Sequence, residues 1–513
     1  GTAMPPTCAC ASPLSLRSKP SPHFHSHSPG LRPPPSLDRR PQVKRSGVSR
    51  PRSMGAKLGV PRAAAEETVA TMTVTVTTTE QRAGSIGSKL PGATHESCVY
   101  LDYNATTPIF PEVAAAMEPF LWEHFGNPSS GHAFARPCKT AIDTARVQVA
   151  DMLGCDAGEV MFTSSGSESD NHAVASAVQH AVDARGVPVP HVVTCAIEHP
   201  AILEYLIAEA AAGRLTFTAV GVDAAGVVDP AHVAAAVTPD TCLVSIMHAN
   251  NEVGAVQPVA AVAAAARAAN PHVLIHTDAA QSCGKIPVKV HALCVDMCTI
   301  VGHKIGAPKG VAALYVKTGT PFRKLMHGGG QEGGRRAGTE NVLHIVGLGA
   351  ACGLVEREAA ELPSHMAALR DTLQQTLTAE LGGDDGVDVR VNGPEDDSRR
   401  LPNTLSIGVR GISASALLAS LAEEMAASAG AACHTGEAAA SISGVLTAMH
   451  VPEEYAVGTL RLSVGRHTSA ADVARGAALI VAAARAQRVE LAALPEGQRP
   501  AWCIKNIFSR RGK

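Results

Sequence analysis

Short, unbroken apolar runs alternate with longer stretches in which apolar residues recur every third or fourth position, and this alternation fills the middle of the chain. The runs at 160–163, 191–195, 215–220, 243–247, 273–277 and 297–301 are mostly apolar and rich in β-branched residues, with few charged positions, as expected of strands largely buried in a sheet. Stretches 167–182, 200–211 and 259–269 carry helical spacing. Strand and helix taking turns predict an α/β fold, a mainly parallel sheet covered by helices on both sides. Upstream, 99–108 reads as an extended piece closed by a turn, 113–124 as a helix, 126–130 as a loop, and 137–153 as a helix opened by Pro137. From Asn341 the spacing is helical through Leu377, with a kink or break at Pro363. Strand 405–409, helix 414–424, strand 460–464 and helix 470–486 then predict a smaller α+β domain. A cleft between two such domains is a common place for a ligand.

Composition adds a boundary at the N-terminal side. Residues 1–65 hold eleven Lys and Arg against one acid, Asp38, with Pro- and Ser-rich runs that cannot build a core. A basic, Ser-rich, acid-poor segment resembles an organellar transit peptide for chloroplast or mitochondrion, and the alternative is an ordinary tail on a cytoplasmic protein. Residues 66–95 read as linker, so the expected organisation is a disordered segment 1–95, a large domain 96–350 and a small domain 351–513. The net charge of −2 shows no nucleic-acid surface. The Ala-rich stretches 256–269 and 477–486 are too short or carry Arg, so no membrane span is expected. Thirteen cysteines without a regular spacing give no disulfide framework, and Cys294 and Cys298 lack a second ligand pair, so no metal site is expected.

Candidate chemistry gathers at predicted strand ends, where open α/β sheets bind their ligands. Asp278 ends one apolar run and His303-Lys304 follows another. A carboxylate and a lysine together suit pyridoxal phosphate, which needs an amine for a Schiff base and an acid to keep its ring nitrogen protonated. Taken alone, Asp278 also fits a helix cap and Lys304 a solvated lysine. Residues 162–170 end a strand and open a helix, which suits either a phosphate cradle or a polar capping box. His199 follows a third strand, where an imidazole can stack on a ring, and Asn250-Asn251 follow a fourth.

The motifs now on view resemble those of the cysteine desulfurases of the class V aminotransferase type, and among them selenocysteine lyase, over about residues 99–468. They are Leu-Asp-Tyr-Asn-Ala-Thr-Thr-Pro at 101–108, Gly-Asn-Pro-Ser-Ser at 126–130, Ala-Asn-Asn-Glu at 249–252, His-Thr-Asp-Ala-Ala-Gln at 276–281, Gly-Gly-Gly-Gln-Glu at 328–332, Gly-Thr-Glu-Asn at 338–341 and Gly-Ala-Ala-Cys-His at 430–434. The resemblance implies the fold type I of pyridoxal-phosphate enzymes, with a seven-stranded, mainly parallel sheet in the large domain. It implies that Lys304 carries the cofactor, Asp278 pairs with the ring nitrogen, Gln281 and Asn251 hold the phenolic oxygen side and His199 stacks on the ring. Gly166, Ser167 and His303 would hold the phosphate, joined by Thr339 from the partner subunit of a homodimer. Arg461, helped by Asn127, would take the substrate carboxylate.

Cys433 lies among small residues, Ala427 to Gly436, as in a mobile loop, and the adjacent His434 favours its thiolate. By the resemblance it is the nucleophile that takes sulfur from L-cysteine, or selenium from L-selenocysteine, leaves L-alanine and passes the chalcogen to an acceptor protein. The alternative within the family is a general desulfurase feeding iron–sulfur cluster or thio-cofactor assembly. Outside it stand a small-substrate transaminase and a scaffold that has lost its chemistry. Five positions depart from the family pattern. Gly306-Ala307 replaces a Tyr-Gly pair and Gly333 an arginine, with Arg335 and Arg336 close behind. Val301 replaces a serine, removing one phosphate hydroxyl, and Pro200 follows His199 where relatives carry Asp or Lys.

Overall fold

A computed structural model describes residues 86–87, 97–383, 388–429, 442–500 and 502–503. The basic segment 1–65, most of the linker 66–95, and Cys433 with its flanking residues 430–441 lie outside the described residues. Seven strands form the main sheet among the described residues: β1 (Val160–Thr163), β2 (His191–Cys195), β3 (Thr216–Val220), β4 (Thr241–Ser245), β5 (Leu274–Asp278), β6 (Met297–Val301) and β7 (Ala312–Val316). Their order is β1-β7-β6-β5-β4-β2-β3, parallel from β6 through β3, with β7 antiparallel to both of its neighbours. The expected mainly parallel α/β sheet is thus present.

The pleat explains why the strands read as continuous apolar runs. Val193, Val244, Ile275, Cys298 and Tyr315 face one way, into a core with helices Ala135–Leu153, Val259–Ala269 and Val342–Arg357. Their neighbours Val192, Leu243, Met297 and Leu314 face the other way, against Ala173, Val174 and Ala177 of helix Gly166–Arg185 and Ile202 and Leu206 of helix Pro200–Ala211. Both faces are therefore dry, and only the edge strand β3 exposes much of its length.

The other edge is sealed by side chains. Glu332 accepts from the Phe162 N–H at 2.9 Å, while Arg146 and Arg335 donate to the Val160 carbonyl at 2.8 and 3.0 Å. Arg146 and Glu332 also meet in a bidentate pair at 2.7 and 2.8 Å, with the guanidinium over the Phe162 ring. Free strand edges invite foreign pairing, and this cluster closes one. The Gln331-Glu332 motif thus has a structural task, and Arg335 and Arg336 find partners although Gly333 replaces the usual arginine.

A second core surrounds a three-stranded antiparallel sheet, β8 (Val389–Asn392), β9 (Thr404–Val409) and β10 (Thr459–Ser463), in the order β10-β9-β8. Helix Leu362–Leu381 lays Leu362, Met366, Leu369, Leu373, Leu377 and Leu381 on this core, an apolar stripe at three- and four-residue spacing. Val99 and Leu101 join it, and Val99–Tyr100 pairs in parallel with Met425–Ala426.

Boundaries shift where proline or packing intervenes. The helix expected over 113–124 is two, Pro111–Met117 and Pro119–Trp122, because Pro119 starts a new turn. The expected break near Pro363 occurs, with helices Val342–Arg357 and Leu362–Leu381 on either side and Pro363 in a first turn that has no use for its missing N–H. The helix expected over 414–424 ends at Ser420, whereas the last one runs on to Ala493. Among the described residues no helix is long and apolar enough to cross a membrane, and no cluster of His, Cys, Asp or Glu is arranged to hold a metal.

Candidate active site

The C-terminal ends of β2, β4, β5 and β6 deliver polar residues to one crevice. Lys304 lies in a single turn, Gly302–Lys304, directly after β6. Its Nζ donates to the Asn104 and Ala105 carbonyls at 2.6 and 2.9 Å. Gln281 Nε2 donates to the same Asn104 carbonyl at 3.0 Å, so one main-chain oxygen ties together residues 177 and 200 positions away. Asn104 is itself fixed: its Nδ2 donates to the Asn251 carbonyl and Thr404 Oγ1, and its Oδ1 accepts from Asn403. Residues next to the main sheet and next to the three-stranded sheet thus meet at Asn104.

Asp278 closes β5, buried, with Oδ1 accepting from the Ala280 N–H at 2.8 Å. Burial pushes its carboxyl above the usual range, against the pull of that N–H and of His199 and Lys304. His199 caps helix Pro200–Ala211, and its Nδ1 accepts from the Ala201 N–H at 3.1 Å. An accepting Nδ1 leaves the proton of a neutral ring on Nε2. Burial holds its pKa below the ordinary value; Asp278 opposes this and Lys304 adds to it. Two more acids lie in the same neighbourhood. Glu198 is pushed up to about 8 by burial, with Asp278 adding to the rise, and Asp170 well above its usual value for the same two reasons. Glu198 Oε1 accepts from the Met247 N–H and the Cys195 thiol at 2.7 and 3.0 Å.

The phosphate-side candidates sit at the start of helix Gly166–Arg185 and beside Lys304. Ser165 caps that helix, accepting from the Glu168 N–H, and Glu168 is held by Arg336 at 2.8 Å. Capping and an anion-receptive helix end therefore coexist, with the exposed Ser167 in the first turn. A Cβ on Gly166 would stand 2.6 Å from Val301 Cγ2, so Val301 fills the place of the absent serine hydroxyl and demands glycine opposite. His303 Nδ1 lies 3.1 Å from Thr106 Oγ1, and its pKa is pushed down to about 4 by burial and then by Lys304 and Lys309. It is neutral at ordinary pH.

Arg461, on β10, reaches the Asp102 carboxylate at 2.8 Å and the Asn251 carbonyl at 3.4 Å. Its Nε is buried with no hydrogen-bond partner among the described residues. The Asn251 contacts with Asn104 and Arg461 run through its main chain. Thr339 and Asn127 stand exposed, and no hydrogen bond ties either to the Lys304 cluster among the described residues; Asn127 Oδ1 instead accepts from the Ser129 N–H. The space vacated by the Tyr-Gly pair is occupied: Gly306, at φ +87°, packs against Phe110, whose ring would lie 2.1 Å from an added Cβ.

Residues that the sequence reading did not single out are Asn104, Asp102, Glu198, Asp170 and Lys285. Asp102 and Asn104 lay inside a quoted motif and Glu198 beside His199, but their partners are far off in sequence. The donor set suits pyridoxal phosphate. A buried carboxyl whose pKa is raised by desolvation gains most from a neighbouring ring cation, an amine leans on two carbonyls that a Schiff base would release, and a glycine-led helix end receives an anion.

The chain is 43% identical over 380 residues to a cysteine desulfurase of Trichormus azollae, covering 74% of this chain and 91% of that one. It is 41% identical over 404 residues to the selenocysteine lyase of Bos taurus, covering 73% and 90%. A solved NifS-like protein superposes with a TM-score of 0.68 at 35% identity, covering 75% of this chain and 98% of that one. With a family model matching residues 99–475, the chain belongs to the class-V aminotransferase family.

Proposed function

We propose that the protein is a pyridoxal-phosphate-dependent carbon–sulfur and carbon–selenium lyase that converts L-cysteine or L-selenocysteine to L-alanine. The observation that carries this is the convergence of Lys304, Asp278, His199 and Gln281 at the C-terminal ends of β6, β5 and β2, where Lys304 and Gln281 share the Asn104 carbonyl and the His199 ring feels the charges of Asp278 and Lys304. When bound, the cofactor supplies a Schiff base to the substrate amine and an electron sink for cleavage at Cα and Cβ. Lys304 would carry it, Asp278 would face its ring nitrogen, His199 would cover the ring, and Gln281 with Asn251 would hold the phenolic side. Gly166, Ser167 and His303 would take the phosphate, with Thr339 of a second subunit. Arg461 and Asn127 would bind the substrate carboxylate, Arg461 through a fork now engaged with Asp102. The Lys304 amine, when free, would be the base that moves the Cα proton.

Cys433 would attack the substrate sulfur or selenium; that bond forms as the bond to Cβ breaks, its electron pair goes to carbon, and a proton completes alanine. The chalcogen is left on Cys433 for an acceptor protein. A homodimer is supported by the exposed Leu121, Trp122, Phe125 and Phe134, an apolar group too large to be left in water without a reason. The test is alanine release from L-cysteine and L-selenocysteine side by side, with Cys433→Ala as control. Turnover of cysteine lost in Cys433→Ala supports a desulfurase that supplies sulfur for iron–sulfur cluster or thio-cofactor assembly. A large preference in kcat/KM for selenocysteine supports a selenocysteine lyase. No alanine from either substrate refutes the proposal.

A further inference from the structure

Lys285 is a lysine almost fully enclosed in the protein, 5% exposed, and none of the roles above uses it. It follows Gly284, whose φ of +74° turns the chain back after one helical turn, and the Ile305 and Val355 side chains pack where a Cβ would go. The turn brings Lys285 Nζ to 2.9 Å from Gln281 Oε1. An ammonium here can only donate to that oxygen, and the acceptor-only Asn104 carbonyl holds the other end of the amide, whereas a carboxamide alone can present either end. Lys285 and the Asn104 carbonyl therefore set together which end of Gln281 faces the crevice: Oε1 is taken by Lys285, and Nε2 points to the Asn104 carbonyl beside Lys304.

We infer that Lys285 is a positioning residue that acts through Gln281, fixing the amide with its N–H toward the cofactor's phenolic oxygen and adding a proton-dependent positive charge behind it. This rests on the proposed function, because the phenolic oxygen belongs to the cofactor. The groups that bear on the Lys285 amine are Lys304 from the turn after β6, Arg461 from β10 and Cys283 from its own turn, and Arg461 is paired with Asp102. Burial first, then Lys304 and Arg461, push the amine down to about 7, with Cys283 opposing. The charge behind Gln281 thus changes around neutral pH. A protonated Lys285 repels a second cation at Lys304 and favours the phenolate; a neutral one does neither.

The experiment is a pH titration of the visible absorption of the cofactor bound to the holoenzyme, with cofactor affinity measured in parallel. Lys285→Met removes donor and charge; Lys285→Gln restores a neutral donor. Lys285→Met is expected to raise the pH of the spectral transition by about one unit and to weaken cofactor binding about tenfold. Lys285→Gln is expected to recover most of the affinity and none of the pH shift, a split that a merely structural lysine would not produce. Should either variant fold poorly, Gln281→Leu supplies the second measurement: in that background, replacing Lys285 should change affinity by less than twofold. Titrations of wild type and Lys285→Met that superimpose overturn the inference. A wild-type protein that shows no cofactor band refutes the proposed function instead.

Discussion

Replacing Glu198 with Gln should make the apoprotein more stable at neutral and alkaline pH, and the size of the effect follows from where the carboxyl lies. Glu198 is 4% exposed, and burial raises its pKa from about 4.5 to about 8. Between those values the unfolded chain has lost the proton and the folded chain keeps it, so stability falls as pH rises. The contribution is fully present below about pH 4.5 and gone above about pH 8. At about 1.4 kcal/mol per unit the whole window is worth up to about 5 kcal/mol, and glutamine, which does not titrate, escapes the loss. The substitution keeps the geometry. Its amide oxygen can still accept from the Met247 N–H and the Cys195 thiol, and its NH2 takes the place of Oε2, which is buried without a hydrogen-bond partner among the described residues. Glu198→Ala escapes the loss too but lacks that acceptor, so it should lie about 2 kcal/mol below Glu198→Gln at every pH. The assay is urea unfolding of apoprotein at pH 5.5, 7 and 8.5. The Glu198→Gln midpoint should pull ahead of wild type steadily across the series. Parallel curves would refute the buried, protonated glutamic acid, and with it the idea that Asp278 is spared a second negative charge nearby.

Arg146→Met leaves the Glu332 carboxylate, 3% exposed at its side chain, without its bidentate partner and should cost about 3 kcal/mol, read as a lower thermal midpoint. Gly306→Ala meets both a left-handed backbone and the Phe110 ring, so a loss of about 2 kcal/mol is expected, partly recovered by adding Phe110→Leu. Asn104→Ala removes the side-chain bonds to Asn251, Thr404 and Asn403 that hold the shared carbonyl, and cofactor affinity should fall about tenfold or more; unchanged affinity would deny Asn104 its joining role.

The strands were legible because most are dry on both faces and so spell unbroken apolar words. Their ends fall within about two residues of the reading, since a strand end is where polar residues resume. β7 was not read: Ala-Ala-Leu-Tyr-Val begins with small residues, and nothing local says that it runs against its neighbours. Lys304, Asp278 and His199 were legible because each follows an apolar run at the ligand edge. Lys285 was not, because a buried lysine and a solvated one look alike in sequence and only the turn at Gly284 distinguishes them. Phe110 against Gly306 was missed for a related reason, the two being far apart in sequence. The replacement of a tyrosine by Gly306 shows one side of the contact, and Phe110 is the other.

The charges around Lys304 follow a single logic. Burial pushes Glu198 and Asp170 toward their protonated forms and Lys285 and His199 toward their neutral ones, so the crevice sheds charge wherever it has no partner to offer. Within the same cluster Arg461 pairs with Asp102 and the Lys304 amine rests on two carbonyls. A neutral ligand would gain little from such a site. A ligand with a protonated ring nitrogen for Asp278 and an anion for the helix end at Gly166 brings the missing countercharges with it, and both ends should count toward affinity. Pyridoxal without its phosphate should therefore bind this protein far more weakly than the phosphate ester. Adding free phosphate should recover part of the difference, because the helix end and the Asp278 side would be satisfied separately. Equal binding of the two forms would mean that the Gly166 helix end is only capped, and that Ser165, Glu168 and Arg336 complete its task among themselves.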